Sequence, residues 1–120
     1  MRSTRRSVAL ASLALAAATV LAGCGGAKTD HLKADDGPIE GGAGITPAKL
    51  TAKKGHEVQI QVTNTAKDKQ HGFSIDDFNV HEVINQGTTS TVKFKASKSG
   101  TFKVYCQLHA AHKQSELDVS

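Results

Sequence analysis

The chain has 120 residues, with 15 Lys plus Arg against 11 Asp plus Glu and a formal net charge of +4. That length suits one domain with one core and leaves no room for two. The three Arg stand at positions 2, 5 and 6; without them 12 Lys face 11 acids, no basic stripe is interleaved with aromatics, and nucleic-acid binding is not supported.

Arg2, Arg5 and Arg6 precede a run from Val8 to Ala22 made of Ala, Leu, Val, Ser and Thr. This is the charged n-region and apolar h-region of a signal peptide, short of the roughly 20 apolar residues that span a bilayer as a helix. The run ends in Leu21-Ala22-Gly23-Cys24, which resembles a bacterial lipobox. Residues 1–23 are therefore expected to be a cleaved lipoprotein signal peptide, with Cys24 as the lipidated new N-terminus. Multiple acyl chains hold a protein firmly at a membrane where one does not. The expected location is the outer face of the cytoplasmic membrane or the periplasm.

Residues 24–44 are rich in Gly, Asp and Lys and poor in large apolar side chains. They read as a flexible tether with a mean reach of roughly 25 Å. From residue 45 to residue 120 the pattern changes to short alternations of period two, the signature of an all-β sandwich. Val58, Ile60 and Val62 alternate with Glu57, Gln59 and Gln61. Phe73 and Ile75, then Val92, Phe94 and Ala96, then Phe102, Val104 and Cys106 continue the period, and Leu117 with Val119 closes the chain as a terminal strand. The segment Asp77 to Asn85 fits neither period, so a loop or one helical turn is as good a reading as a strand.

Once Cys24 carries lipid, Cys106 is the remaining thiol, in a compartment that favours disulfides it cannot form alone. Metal ligation is the best reason for such a thiol, because coordination deprotonates the sulfur. Cys106 ends one strand and His71 stands just before another, while His109 and His112 follow in the loop Cys-Gln-Leu-His-Ala-Ala-His. Loops of a sandwich cluster at its ends, which would bring the four together. A soft thiolate with imidazoles suits copper in both oxidation states, and Cu(II) outranks Zn(II) for the same ligands. His31, His56 and His81 are assigned no role. No phosphate loop, Ser-His-Asp set or paired carboxylate site is present.

On these residues the stretch 50–120 resembles the cupredoxin family. His71 in His-Gly-Phe-Ser-Ile-Asp takes the place of the first ligand, and Cys-x-x-His with a further ligand follows downstream. Within that family, the segments His71 to Ile84 and Val104 to His109 are similar to the red copper, nitrosocyanin type. The resemblance implies a Greek-key β-sandwich with a copper site on His71, Cys106, His109 and His112. Nitrosocyanin has Glu where this chain has His71, and ordinary blue sites have Met where it has His112, so the set lies between the two types. The function implied is electron transfer by one copper ion cycling between Cu(I) and Cu(II), without enzymatic activity, toward a redox or copper-transfer protein partner. Copper capture or delivery, and redox chemistry on a small molecule such as nitric oxide, stand as alternatives. Nitrosocyanin is a trimer, but the tether replaces the region that precedes its matched part, so a monomer is expected.

Overall fold

The computed structural model describes residues 28–39, 42–67 and 69–120. The expected signal peptide and Cys24 lie outside the described residues. Among those residues no helix is long and apolar enough to cross a membrane.

Among the described residues nine strands follow one another: β1 (Thr29–Asp36), β2 (Ile45–Thr46), β3 (Lys49–Ala52), β4 (Glu57–Asn64), β5 (His71–Ile75), β6 (Val80–Ile84), β7 (Thr89–Lys95), β8 (Gly100–Val104) and β9 (Ser115–Val119). One sheet has the order β2-β1-β4-β7, and the other combines β3-β9-β8 with β5-β6. Those two pieces are joined by a bridge between Ser74 and Tyr105, sealed by two backbone hydrogen bonds of 2.8 and 3.0 Å. The all-β sandwich is as expected from the alternations.

Strand β4 shows why. Val58, Ile60 and Val62 are essentially inaccessible while Glu57 and Gln61 face water. Burying each such aliphatic side chain contributes roughly 1.5–3 kcal/mol. Opposite them Phe73, Ile75, Ile84, Val104 and Leu117 complete the core, with Phe94 and Phe102 packed at its margin. All five residues of β5 are buried, so this strand lacks the solvent face that alternation implies. The ambiguous segment resolves into a single 3-10 turn, Asp76–Phe78, ended by Asn79 in the left-handed region (φ 55°), and then β6.

One boundary is corrected. Thr29–Asp36, expected to be tether, forms β1 and runs parallel to β4 over its whole length, from Thr29 opposite Glu57 to Asp36 opposite Asn64. Its side chains alternate weakly because most are polar, so the strand is specified by backbone pairing against a strong neighbour more than by its own apolar content. The folded domain therefore begins well before residue 45. Past β1 the chain folds back: Gly37 N–H donates to Gly44 O at 2.9 Å, and Ile45 N–H donates to Lys113 O at 3.1 Å. Gly44 has φ +60°, and a Cβ there would run into the backbone and side chain of Lys113. This close approach seats the end of β1 against the loop that carries His112.

Candidate metal centre

At the end of the sandwich where β1 and β4 finish, polar groups collect inside. His71 opens β5 and is 0% exposed; Cys106 follows the Ser74–Tyr105 bridge and is 4% exposed; His112 in the loop before β9 is 3% exposed. One donor atom from each of the three lies within 4.8 Å of the others. The Cys106 Sγ to His71 Nδ1 distance is 4.0 Å. The His71 and His112 rings stack, with centroids 4.6 Å apart.

The backbone sets these positions. The Ser74–Tyr105 bridge fixes β5 against the chain leaving β8, so that Gly72 N–H donates to Cys106 Sγ at 3.1 Å. A Cβ on Gly72 would collide with the amide of Gln107. That amide is itself fixed, accepting from Ser74 Oγ at 2.6 Å and donating to Glu82 O at 3.0 Å. Asn64 ties down the approach to β5, giving its two N–H groups to Lys69 O and Ile84 O and accepting from Ala66 N–H.

His112 Nε2 donates to Gly37 O at 2.6 Å. Its Nδ1 is buried with no hydrogen-bond partner. With Nε2–H spent on Gly37 O, Nδ1 is the ring nitrogen left to offer a lone pair. This orphaned nitrogen, on a ring grouped with a cysteine sulfur and a second imidazole, fits a soft or borderline transition-metal ion.

His109 stands at the rim. It is half-buried, packs edge-on against His71 with centroids 5.1 Å apart, and donates Nε2–H to Gln70 O at 3.0 Å. The structure thus draws His71, Cys106 and His112 into one cluster and places His109 against its outer side. His31 is exposed. His56 pairs with Asp30, Nδ1 to Oδ1 3.0 Å. His81 reaches Ser74 Oγ at 3.3 Å.

Sequence reasoning missed three groups here. Gly72 had a signal, a glycine directly after the first candidate ligand. Gln107 had none beyond its place between Cys106 and His109. Asp36 lay in the supposed tether, yet it is 0% exposed, with Oδ1 3.4 Å from His112 Nε2 and no hydrogen-bond partner for either carboxylate oxygen. Burial pushes its carboxyl up to about 7.

A β-sandwich with a buried His, Cys and His set at one end, gathered from a strand start and the loop before the last strand, defines a class of small metalloprotein. The chain belongs to the cupredoxin-like domain family, whose match spans residues 8–119. Auracyanin A, a "blue" copper protein from Chloroflexus aurantiacus, superposes with a TM-score of 0.62 at 16% identity, covering 77% of this chain and 99% of that one. The purple cupredoxin from Nitrosopumilus maritimus gives 0.55 at 18% identity, covering 74% and 99%. At these identities the likeness is one of fold. In sequence, the chain is 44% identical over 64 residues to the nitrous-oxide reductase of Cupriavidus necator, a match covering 50% of this chain and 10% of that protein. The chain thus spans about a tenth of the length of this curated relative.

Proposed function

We propose that this protein is an exported, lipid-anchored electron-transfer protein holding one copper ion on His71, Cys106, His109 and His112. The observation that carries the reading is the buried cluster of Cys106 with two imidazoles, one of them with an orphaned Nδ1. Family membership and the fold shared with a blue copper protein support it. Copper bound there would supply one-electron exchange between Cu(I) and Cu(II).

The chain's own residues do the rest. Gly72 N–H donates to the Cys106 sulfur and holds it in place, and the sulfur is almost fully buried. Gly37 O fixes the His112 ring, and the strands on either side limit rearrangement of the donors, which keeps reorganisation small. His109, on the rim, is the edge nearest a protein partner. Cys24 would anchor the protein to the membrane, with the domain acting as a monomer. The donor set lies between the blue and red, nitrosocyanin-like, types.

A second reading has one observation behind it. A cleft of about 400 Å³ lined by Lys103, Tyr105, Cys106, His109, His112 and Gln114 reaches the cluster from solvent. It favours redox chemistry on a small molecule such as nitric oxide. Titrating purified protein with Cu(II) tests both. One equivalent should produce an intense sulfur-to-copper charge-transfer band, and a colourless protein would overturn the copper reading. A band that changes on adding nitric oxide supports the second reading, and an unchanged band supports the carrier.

A further inference from the structure

The end of β1 brings a buried carboxylate to the back of the metal centre. Asp36 is fully buried, and neither of its oxygens has a hydrogen-bond partner. The neighbouring Asn64, opposite it on β4, spends both amide N–H groups on Lys69 O and Ile84 O. His112 Nε2 lies 3.4 Å from Asp36 Oδ1 while donating to Gly37 O at 2.6 Å. An uncompensated carboxylate inside a core is destabilising. Its presence at this point calls for a chemical reason.

The other ring nitrogen of His112 supplies one. Nδ1 is buried with no hydrogen-bond partner, and a donor atom of His112 lies within 4.8 Å of those of His71 and Cys106, while Asp36 and Gly37 O both meet the other ring nitrogen, Nε2. Histidines that ligate metals commonly have such a carboxylate or carbonyl behind them, which orients the ring and raises its basicity. A negative charge in a dry interior also favours the more highly charged state of a nearby ion.

Resting on the assignment of His112 as a ligand, we propose that Asp36 is a positioning residue of the metal centre, acting through His112 to favour Cu(II) over Cu(I). The N-terminal strand is then part of the site.

The test is Asp36→Asn, with Asp36→Leu as a second variant that removes the charge and the hydrogen-bonding group together. Above neutral pH, both are expected to bind Cu(II) 10- to 100-fold more weakly and Cu(I) with a smaller loss. A tenfold difference between the two losses raises the potential by 59 mV. The apo form of each variant should melt higher than wild type, opposite in sign to the affinity change. In a His112→Ala background, Asp36→Asn should have no further effect on Cu(II) affinity. The proposal is overturned by a Cu(II) affinity within twofold of wild type, by equal losses for Cu(I) and Cu(II), by a lower apo melting temperature, or by an effect that persists without His112. Wild-type protein that gives no charge-transfer band would overturn the copper reading itself, and this inference with it.

Discussion

Strand β1 carries an Asp–His pair at each end, and the two pairs behave in opposite ways. At its start, Asp30 meets the His56 Nδ1 at 3.0 Å and accepts Lys53 N–H at 2.9 Å, with His56 and Asp30 26% and 23% exposed. The hydrogen bond from His56, then that from Lys53, holds the Asp30 carboxyl below the usual range. At its end, Asp36 is buried, its His112 is already committed to Gly37 O, and burial drives its carboxyl up to about 7. The same two residue types close one end of the sandwich comfortably and leave the other unsatisfied. Burial without donors, more than the pairing itself, decides the sign. The unsatisfied end is the one that holds Cys106.

The sharpest way to separate the two ends is to remove the sulfur. Cys106→Ser should abolish the charge-transfer band completely, since no other thiol exists among the described residues, while the apo domain still melts cooperatively. Asp30→Asn should leave the band untouched. A coloured Cys106→Ser protein would mean that the ligand is misassigned.

The next effect is on pH dependence in the metal-free protein. The folded Asp36 carboxyl titrates near 7 and the unfolded one near 3.8, so between these values the folded state holds the extra proton. Stability must then fall as pH rises from about 4 to about 7, by an amount on the order of a few kcal/mol. Asp30 has the opposite sign: its depressed carboxyl stabilises the fold above its ordinary value, and that contribution is lost as pH falls through the folded value. Denaturant titrations of apo wild type and Asp36→Asn across this range check the claim. The decline between pH 4 and 7 should be absent in the variant, and a decline of equal size in both would refute the assignment.

The same contrast explains what could be read from the sequence. Val58, Ile60 and Val62 announce β4 because one face is apolar and the other polar. His71, Cys106 and His112 were legible as a group because a thiol and imidazoles at strand ends have few other uses, whereas His109, read with them, stands at the rim of their cluster. The strand β1, with the sequence Thr-Asp-His-Leu-Lys-Ala-Asp-Asp, announces nothing, because its pairing with β4 is made by backbone groups that every residue carries. Asp36 therefore reads from sequence as part of the flexible tether, and only the parallel register with Asn64 takes it inside. Gln107 was equally silent, since its role depends on Ser74 and Glu82 arriving from two other strands.

Gly72 offers a smaller perturbation of the metal end that leaves its charges alone. Gly72→Ala would push a methyl into the Gln107 amide, and overpacking of this kind costs roughly 1–3 kcal/mol. It should also lengthen the Gly72 N–H to Cys106 bond and shift the charge-transfer band. Adding Gln107→Ala makes room for the methyl, so the double variant should recover stability relative to Gly72→Ala. Strictly additive losses in a double-mutant cycle would show that the two residues are not coupled.

The smallest expected change lies at the other end of β1. His56→Ala removes the side-chain partner of Asp30 but leaves Lys53 N–H donating to the same carboxylate. Solvent reaches both side chains, so water can replace the lost donor, and exposed pairs of this kind contribute about 0.2–1 kcal/mol. The variant should therefore lose no more than about 1 kcal/mol, and the loss should shrink in high salt, where the ion-pair part is screened. Copper affinity and the visible spectrum should match wild type, because the pair stands at the opposite end of β1 from Asp36 and His112. The measurement is chemical denaturation at low and high ionic strength beside a Cu(II) titration. If His56→Ala changed the copper spectrum as Asp36→Asn is expected to, the two ends of β1 would be coupled, and the claim that burial alone distinguishes them would fail.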